Sequence, residues 1–294
     1  MPENDLEHLL DRLHGLADRL EAWLPPAAPA PIDLAHAPAW RWRSTPSGRS
    51  TLEPVPHLHA IPLDDLLGLD RQKAVLERNT RQFLAGLPAN NALLWGARGT
   101  GKSSLVKALL VAYAPRGLRL IEVGKAQLDE LPDLLAQLHG RPERCILFCD
   151  DLSFASDEPG YQHLKAVLEG SISAPPENVL IYATSNRRHL MPESLADNRD
   201  TRVLEGEIHP GEAVEEKISL SERFGLWLSF HPFDQPQYLA IVRHWLTRFG
   251  ALEPDSDVVT RAALQWALER GSRSGRVAWQ FAKDWLGREI ATQD

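Results

Sequence analysis

The sequence predicts an α/β fold in which helices cover both faces of a parallel sheet, followed by a small helical domain. Short apolar runs recur from Leu66 onward, separated by helical patterns, and this alternation is typical of parallel strands joined by crossover helices. After about Pro232 the patterns are helical only. The predicted strands are 91–96, 118–123, 145–150 and 179–184, and the predicted C-terminal helices are 236–249, 257–270 and 274–289.

The chain divides into four predicted segments. Leucines at helical spacing predict an amphipathic helix over 1–24, and a Pro- and Ala-rich stretch predicts a linker over 25–60. The α/β domain then covers 61–231 and an all-α lid domain covers 232–294. The N-terminal helix has two interpretations, packing on its own domain or docking on a partner.

The composition is that of a globular protein without a membrane segment. Of 294 residues, 43% are hydrophobic and 24% are charged. The net charge of −8 disfavours a nucleic-acid coat protein, although a local basic patch stays open as an alternative. Neither an apolar run of about 20 residues nor a secretory leader is found, so we expect a cytoplasmic protein.

The strongest motif directly follows the first predicted strand. It matches GxxxxGK[ST] over Gly96–Ser103, a phosphate-binding loop in which backbone N–H groups wrap around phosphate oxygens. Lys102 is expected to reach the β- and γ-phosphates, and Ser103 to ligate Mg²⁺. The alternative is a glycine-rich turn. We predict that ATP is bound by Gly96, Ala97, Arg98, Gly99, Thr100, Gly101, Lys102, Ser103 and Ser104.

Two further predicted strands end in polar residues. The run 146–149 leads into Asp150 and Asp151, where one carboxylate can bind Mg²⁺ and the other can orient or deprotonate the attacking water. We assign Asp150 to the metal and Asp151 to the water, against the alternative of a helix cap. The other strand ends at Thr184-Ser185-Asn186, which by itself is typical of a turn.

Two motifs have plainer alternatives. Cys145 and Cys149 share a predicted strand with alternate spacing, which favours core packing over a metal site. Trp40 and Trp42 alternate with arginines, a pattern that either provides a stacking surface for single-stranded nucleic acid or fills a core.

Taken in order, the phosphate loop, the acidic strand end and the polar strand resemble the AAA+ superfamily. The chain looks still closer to a bacterial AAA+ family catalogued as a domain of unknown function, through the runs LLWGARGTGKSSLVKALL, ILFCDDLSF, NVLIYATSNRRHL and EEKISLSERFGLWLSF. The resemblance implies that the Asn186 strand lies between the strands of the phosphate loop (Walker A) and of the acidic pair (Walker B).

The same resemblance implies roles for residues outside the first two motifs. Asn186 becomes the sensor 1 residue and Arg276 the sensor 2 arginine, with Arg273 as a competitor. Arg223 becomes an arginine finger acting on the ATP of a neighbouring subunit, and this implies a homo-oligomer, either a ring or an open ring. An ordinary surface ion pair is the alternative for Arg223.

We therefore expect an ATPase that drives or switches the remodelling of an unidentified macromolecular partner, by analogy with AAA+ proteins. One alternative is a DNA-linked loader or initiator, because the tail resembles the Arg-Phe-Gly segment of replication initiators. Another is a module that signals ATP occupancy with little turnover, since Asp151 stands where many ATPases have Glu.

Overall fold

The computed structural model describes residues 33–45, 50–59, 61–154, 159–169, 176–187, 202–204, 207–209 and 220–291. From Leu34 onward these residues belong to one compact unit. The predicted helix over 1–24 lies outside the described residues, and so does Arg188. Within the described parts, no helix combines the length and apolarity needed to cross a membrane.

A seven-stranded sheet organises the described chain. Its order is β2-β1-β4-β5-β6-β3-β9, and every neighbouring pair is parallel except β1 and β2. The strands are β1 (Ala39–Ser44), β2 (Ser50–Pro54), β3 (Ala92–Gly96), β4 (Leu118–Val123), β5 (Arg144–Cys149), β6 (Val179–Ser185) and β9 (Leu226–Phe230). Two short strands, β7 (Arg202–Leu204) and β8 (Glu207–His209), form a separate antiparallel pair.

Helices between the strands pack against this sheet. They are α1 (Asp70–Leu84), α2 (Lys102–Tyr113), α3 (Leu131–Leu138) and α4 (Pro159–Glu169). The strands β5 and β6 are buried along nearly their whole length, which is why they read as continuous apolar runs. The predicted α/β fold is confirmed, with all four predicted strands found within one residue at each end.

Three helices follow the last strand and form what we call the lid: α5 (Gln235–Phe249), α6 (Asp257–Glu269) and α7 (Gly275–Ala291). The start of α5 is fixed by a capping box between Asp234 and Gln237. Its end is fixed by Gly250, whose φ of 87° needs a residue without Cβ. The three predicted helices are confirmed, whereas the domain boundary near 231 remains a prediction.

The strands β1 and β2 lie inside the segment predicted as a linker. Trp40 and Trp42 point into the protein, with 5% and 2% exposure, and their indole N–H groups donate to the Ala37 carbonyl at 2.9 Å and to Glu130 Oε2 at 2.8 Å. The hypothesis that these tryptophans form a stacking surface is therefore wrong, because neither ring face is open to a base. The first prolines of the predicted linker, at 25, 26, 29 and 31, precede the hairpin in the sequence.

The strand order also places β6 between β3 and β5. This is the arrangement that the AAA+ resemblance implied. The carboxyl ends of these three parallel strands therefore lie side by side at one edge of the sheet, where ligands bind in open α/β sheets.

If the hairpin is part of the core, Trp42→Ala should lower the free energy of unfolding by about 3–5 kcal/mol, the usual cost of removing a buried tryptophan. The control is Arg43→Ala, whose exposed pair with Glu53 should contribute less than about 1 kcal/mol. Urea denaturation of both variants measures the difference. Equal, small effects would show that β1 adds nothing to the core.

Candidate functional site

The phosphate-binding loop has a backbone path that excludes side chains at its glycines. A Cβ on Gly96 would lie 1.9 Å from the Phe230 carbonyl oxygen, and φ there is +135°. A Cβ on Gly101, where φ is +101°, would lie 2.8 Å from Leu69. The loop thus leads from β3 straight into the N-terminus of α2 with its backbone closely packed, and the positive end of that helix faces the cleft.

Lys102 is the first residue of α2 and is only 7% exposed. Its ammonium donates to the carbonyl oxygens of Gly96 at 2.7 Å and Ala97 at 2.8 Å, and to Asn186 Oδ1 at 3.1 Å. Burial lowers the pKa of Lys102 from its usual value, and the nearby carboxylates of Asp151 and Asp150 oppose that shift. A cation is therefore held in the mouth of the loop.

Asp150 lies at the carboxyl end of β5, opposite the loop. Its Oδ1 accepts hydrogen bonds from Ser103 Oγ at 2.6 Å and from Thr184 Oγ1 at 2.5 Å. The hydroxyl and the carboxylate predicted to bind Mg²⁺ are thus in direct contact. Both are hard oxygen donors of the kind that Mg²⁺ prefers.

Asp151 adopts the left-handed conformation, with φ of 54°. Its backbone N–H donates to Thr184 Oγ1 at 2.8 Å, and its Oδ1 accepts a hydrogen bond from Asn186 Nδ2. The turn aims the Asp151 side chain away from Asp150 and toward the end of β6. The two carboxylates therefore have different hydrogen-bond partners, which is compatible with the separate roles predicted for them.

Thr184 is a positioning residue that the sequence prediction missed. Its hydroxyl contacts both members of the acidic pair, and it is buried. A hydroxyl at the end of an apolar strand was visible in the sequence. Its contact with Asp150 and Asp151 depends on the pairing of β5 with β6, which no local pattern contains.

The lid contributes Arg276. The backbone N–H of Arg276 donates to the Gly99 carbonyl at 3.3 Å. A Cβ on Gly99 would lie 2.8 Å from Ser274 Oγ and 3.2 Å from the Cβ of Arg276. The start of α7 thus sits directly against the phosphate-binding loop.

A cleft of about 660 Å³ joins these groups. One part is polar, with the loop, the acidic pair, Asn186 and Arg276. The other part is apolar. Its apolar lining is Ile61, Leu66, Leu67, Leu69, Phe233, Ile241, Trp245 and Trp279. Such a division suits a ligand with a charged end and a flat, apolar end.

A family model described as Protein of unknown function (DUF815) matches residues 35–289. The chain belongs to the DUF815 family. The resemblance to an AAA+ family of unknown function is thereby confirmed. No match was found among curated proteins.

Solved structures support the fold of this DUF815 protein. Two single-residue variants of RuvB from Thermotoga maritima give TM-scores of 0.51 and 0.52 at 16% and 14% identity. The matches cover 77% and 81% of this chain, and 64% and 68% of the RuvB chains. The first of these matches therefore covers less than two thirds of the RuvB chain. At these identities the comparison shows a shared AAA+ fold.

The remaining predicted residues of the DUF815 chain lie in different places. Arg98, Thr100 and Ser104 line the cleft. Arg273 is not among the cleft residues, whereas Arg276 is, and this favours Arg276 for the sensor 2 role. Arg187 is exposed, with its N–H donating to Ser185 Oγ at 3.1 Å. Cys145 and Cys149 are buried in β5, and burial raises the pKa of each thiol to about 12.

Arg223 lies outside the cleft. It precedes β9 at the opposite, amino-terminal edge of the sheet, where it lines a second cavity of about 500 Å³. Its guanidinium forms an ion pair with Glu169 at the end of α4. Arg223 is thus remote from the cleft of its own chain, and its pair with Glu169 is the kind of contact given above as the alternative to an arginine finger.

The cleft fits ATP with Mg²⁺ by its shape and its chemistry. The loop glycines let the backbone take its curved path in close contact with the surrounding protein, where any Cβ would meet backbone or side chain. Lys102, Arg98 and Arg276 supply positive charge, while Ser103 and Asp150 supply oxygen ligands. When bound, Mg²⁺ would neutralise the charge that develops on the phosphate oxygens.

Proposed function

We propose that this protein binds ATP with Mg²⁺ and hydrolyses it to ADP and phosphate as a homo-oligomer. The observation that carries the proposal is the meeting of six residues in one cleft: the Lys102 ammonium, the Ser103–Asp150 contact, the Asp151–Asn186 pair and the lid arginine Arg276. Isolated motifs recur by chance, but this combination has a chemical use for every member.

Phosphate binding is assigned to the loop and Lys102. The N–H groups at the start of α2 and the Lys102 ammonium hold the β- and γ-phosphates, and Ser103 with Asp150 holds the metal. The partial desolvation of Lys102 strengthens its attraction to a phosphate, because fewer water dipoles screen the charge.

Hydrolysis is assigned to Asp151, with Asn186 as the orienting group. The Asp151 carboxylate accepts a proton from water as the water oxygen bonds to the γ-phosphorus, and the bond from that phosphorus to the β–γ bridging oxygen breaks to release ADP. The Asn186 amide contacts both Lys102 and Asp151. It therefore stands between the phosphate-binding cation and the base.

The oligomer is proposed from the position of Arg223. A guanidinium stabilises charge on the equatorial oxygens of the transferred phosphoryl group. In this chain it lies at the far edge of the sheet from its own cleft, so only a second subunit can receive it. The Glu169 pair is then exchanged for the neighbour's phosphate on assembly.

The energy of hydrolysis is proposed to reposition the lid and thereby remodel a macromolecular partner. The lid touches the phosphate-binding loop directly at Gly99, so a change in phosphate occupancy alters that contact. A switch with little turnover is the second candidate, favoured by the short Asp151 side chain. Steady-state phosphate release by the purified protein distinguishes a motor from such a switch.

We expect Lys102→Ala to abolish ATP binding, because its ammonium supplies the main side-chain charge on the phosphates and the backbone cradle is weak without it. Calorimetry with ATP and Mg²⁺ measures the loss. Lys165→Ala on α4, outside the cleft, is the matched control and should bind like wild type. Unchanged affinity in Lys102→Ala would overturn the nucleotide site.

Asp151→Asn should keep ATP and Mg²⁺ binding while slowing turnover by roughly 10²–10⁴-fold, since an amide cannot accept the proton. Asn is the suitable replacement because it tolerates the left-handed backbone at this position. Asp133→Asn, an exposed change on α3, serves as the control. If Asp151→Asn turns over normally, Asp151 is a structural turn residue.

Arg223→Ala should bind ATP and assemble, yet lose on the order of 10³-fold in turnover. Arg223→Lys should recover little, because an ammonium lacks the planar fork. Mixing Arg223→Ala with Lys102→Ala is the decisive measurement, since some mixed interfaces join an intact loop to an intact arginine. Failure to regain activity despite demonstrated co-assembly would exclude action in trans.

A further inference from the structure

A buried carboxylate connects the core to the lid beside the proposed nucleotide site. Asp65 ends a short 3₁₀ turn (Leu63–Asp65) ahead of α1 and is only 6% exposed. Carboxylates are rarely buried to this degree unless they are paired. Asp65 also lines the cleft, although no step of the proposed hydrolysis uses it.

Both partners of Asp65 come from the lid helix α5. His244 Nε2 lies 3.0 Å from Asp65 Oδ1, and Arg248 Nη2 lies 3.3 Å from Oδ2. His244 and Arg248 are four residues apart and therefore share one face of the helix. Each carboxylate oxygen thus has its own lid partner, and the three residues form a unit that we call the clamp.

The clamp is next to the apolar part of the cleft. Leu66 follows Asp65, Trp245 follows His244, and both of these neighbours line the cleft. A change in the distance between Asp65 and α5 would therefore move Leu66 relative to Trp245 and change the shape of the cleft there.

From α5 the connection continues to Arg276. The helices α5 and α7 pack against each other extensively. Arg276 stands in the first turn of α7, where its N–H contacts the Gly99 carbonyl. The lid consequently meets the core at the clamp and at the phosphate-binding loop, and α5 with α7 joins these two places.

We propose that Asp65 is a positioning residue, which through His244 and Arg248 sets the lid so that Arg276 reaches the phosphate end of the cleft. This deepens the proposed function and rests on it for the role of the nucleotide. Asp65 does not touch the reacting atoms. It acts by the charge and geometry of the clamp.

The first test uses the full chain without nucleotide. Asp65→Asn keeps the size of the side chain but removes its charge, so amide exchange in 235–249 and 275–291 should rise by about tenfold. The matched control is Arg243→Gln, because Arg243 is on the same helix and pairs with Asp255 within the lid segment. Exchange in the control should stay near wild type. Unchanged exchange in Asp65→Asn would overturn the clamp.

The second test asks whether Asp65 acts through Arg276. The affinity for the non-hydrolysable analogue AMP-PNP is measured in wild type, Asp65→Asn, Arg276→Ala and the double variant. Asp65→Asn should weaken binding by about tenfold, within the usual range of coupling between sites. The double variant should bind AMP-PNP no more weakly than Arg276→Ala, because Arg276→Ala already removes the side chain that Asp65 positions. If the fold losses in AMP-PNP affinity of the two single variants multiply in the double variant, Asp65 does not act through Arg276.

Two further arrangements keep the tests decisive. If Asp65→Asn fails to fold, Arg248→Gln breaks the same ion pair from the lid side. The Arg248 side chain is 56% exposed, so this change should be tolerated, and amide exchange and AMP-PNP affinity should change as described for Asp65→Asn. If the wild type binds no AMP-PNP, the proposed function fails. The exchange of 275–291 in the nucleotide-free protein then still decides whether Asp65 positions the helix that carries Arg276.

Discussion

The Thr184 hydroxyl holds the two acids of the site in different orientations. It donates to Asp150 and accepts from the N–H of Asp151, and it can do both only because β6 lies directly beside β5. The resulting turn puts Asp151 in the left-handed region, where its carboxylate meets Asn186 rather than the metal ligands. The order of the strands thus gives two consecutive acids different partners, which allows the separate roles proposed for them in metal binding and proton transfer.

Local patterns in the sequence were sufficient for the phosphate-binding loop and the main strands. The loop spans eight consecutive residues, and β5 and β6 are buried on both faces, so their apolar runs are continuous. The hairpin of β1 and β2 was missed because the prolines in and around it suggested a linker, although Trp40 and Trp42 alternate with arginines as in a half-buried strand. Its role depends on β4, which is distant in sequence, and on Glu130, which receives the Trp42 N–H.

The parts of the site that the sequence could not supply all depend on long-range contacts. Arg273 and Arg276 are equivalent in a sequence, and only the packing of α7 on Gly99 distinguishes them. The same is true of Asp65, which by pattern is one of many acids before a helix. Its lid partners are about 180 residues further along the chain, and no periodicity relates residues at such a distance.

If Arg223 acts on a neighbouring subunit, as proposed above, one chain lacks a complete site. The cleft has its own cations in Lys102 and Arg276, one buried at the start of α2 and one carried by the lid. Arg223 is held at the other edge of the sheet by Glu169. If ATP hydrolysis needs all three cations, two conditions must be met together: the lid must be seated and a neighbour must be present. In the proposed scheme the clamp at Asp65 controls the first condition and assembly controls the second, so turnover requires both a seated lid and an oligomer.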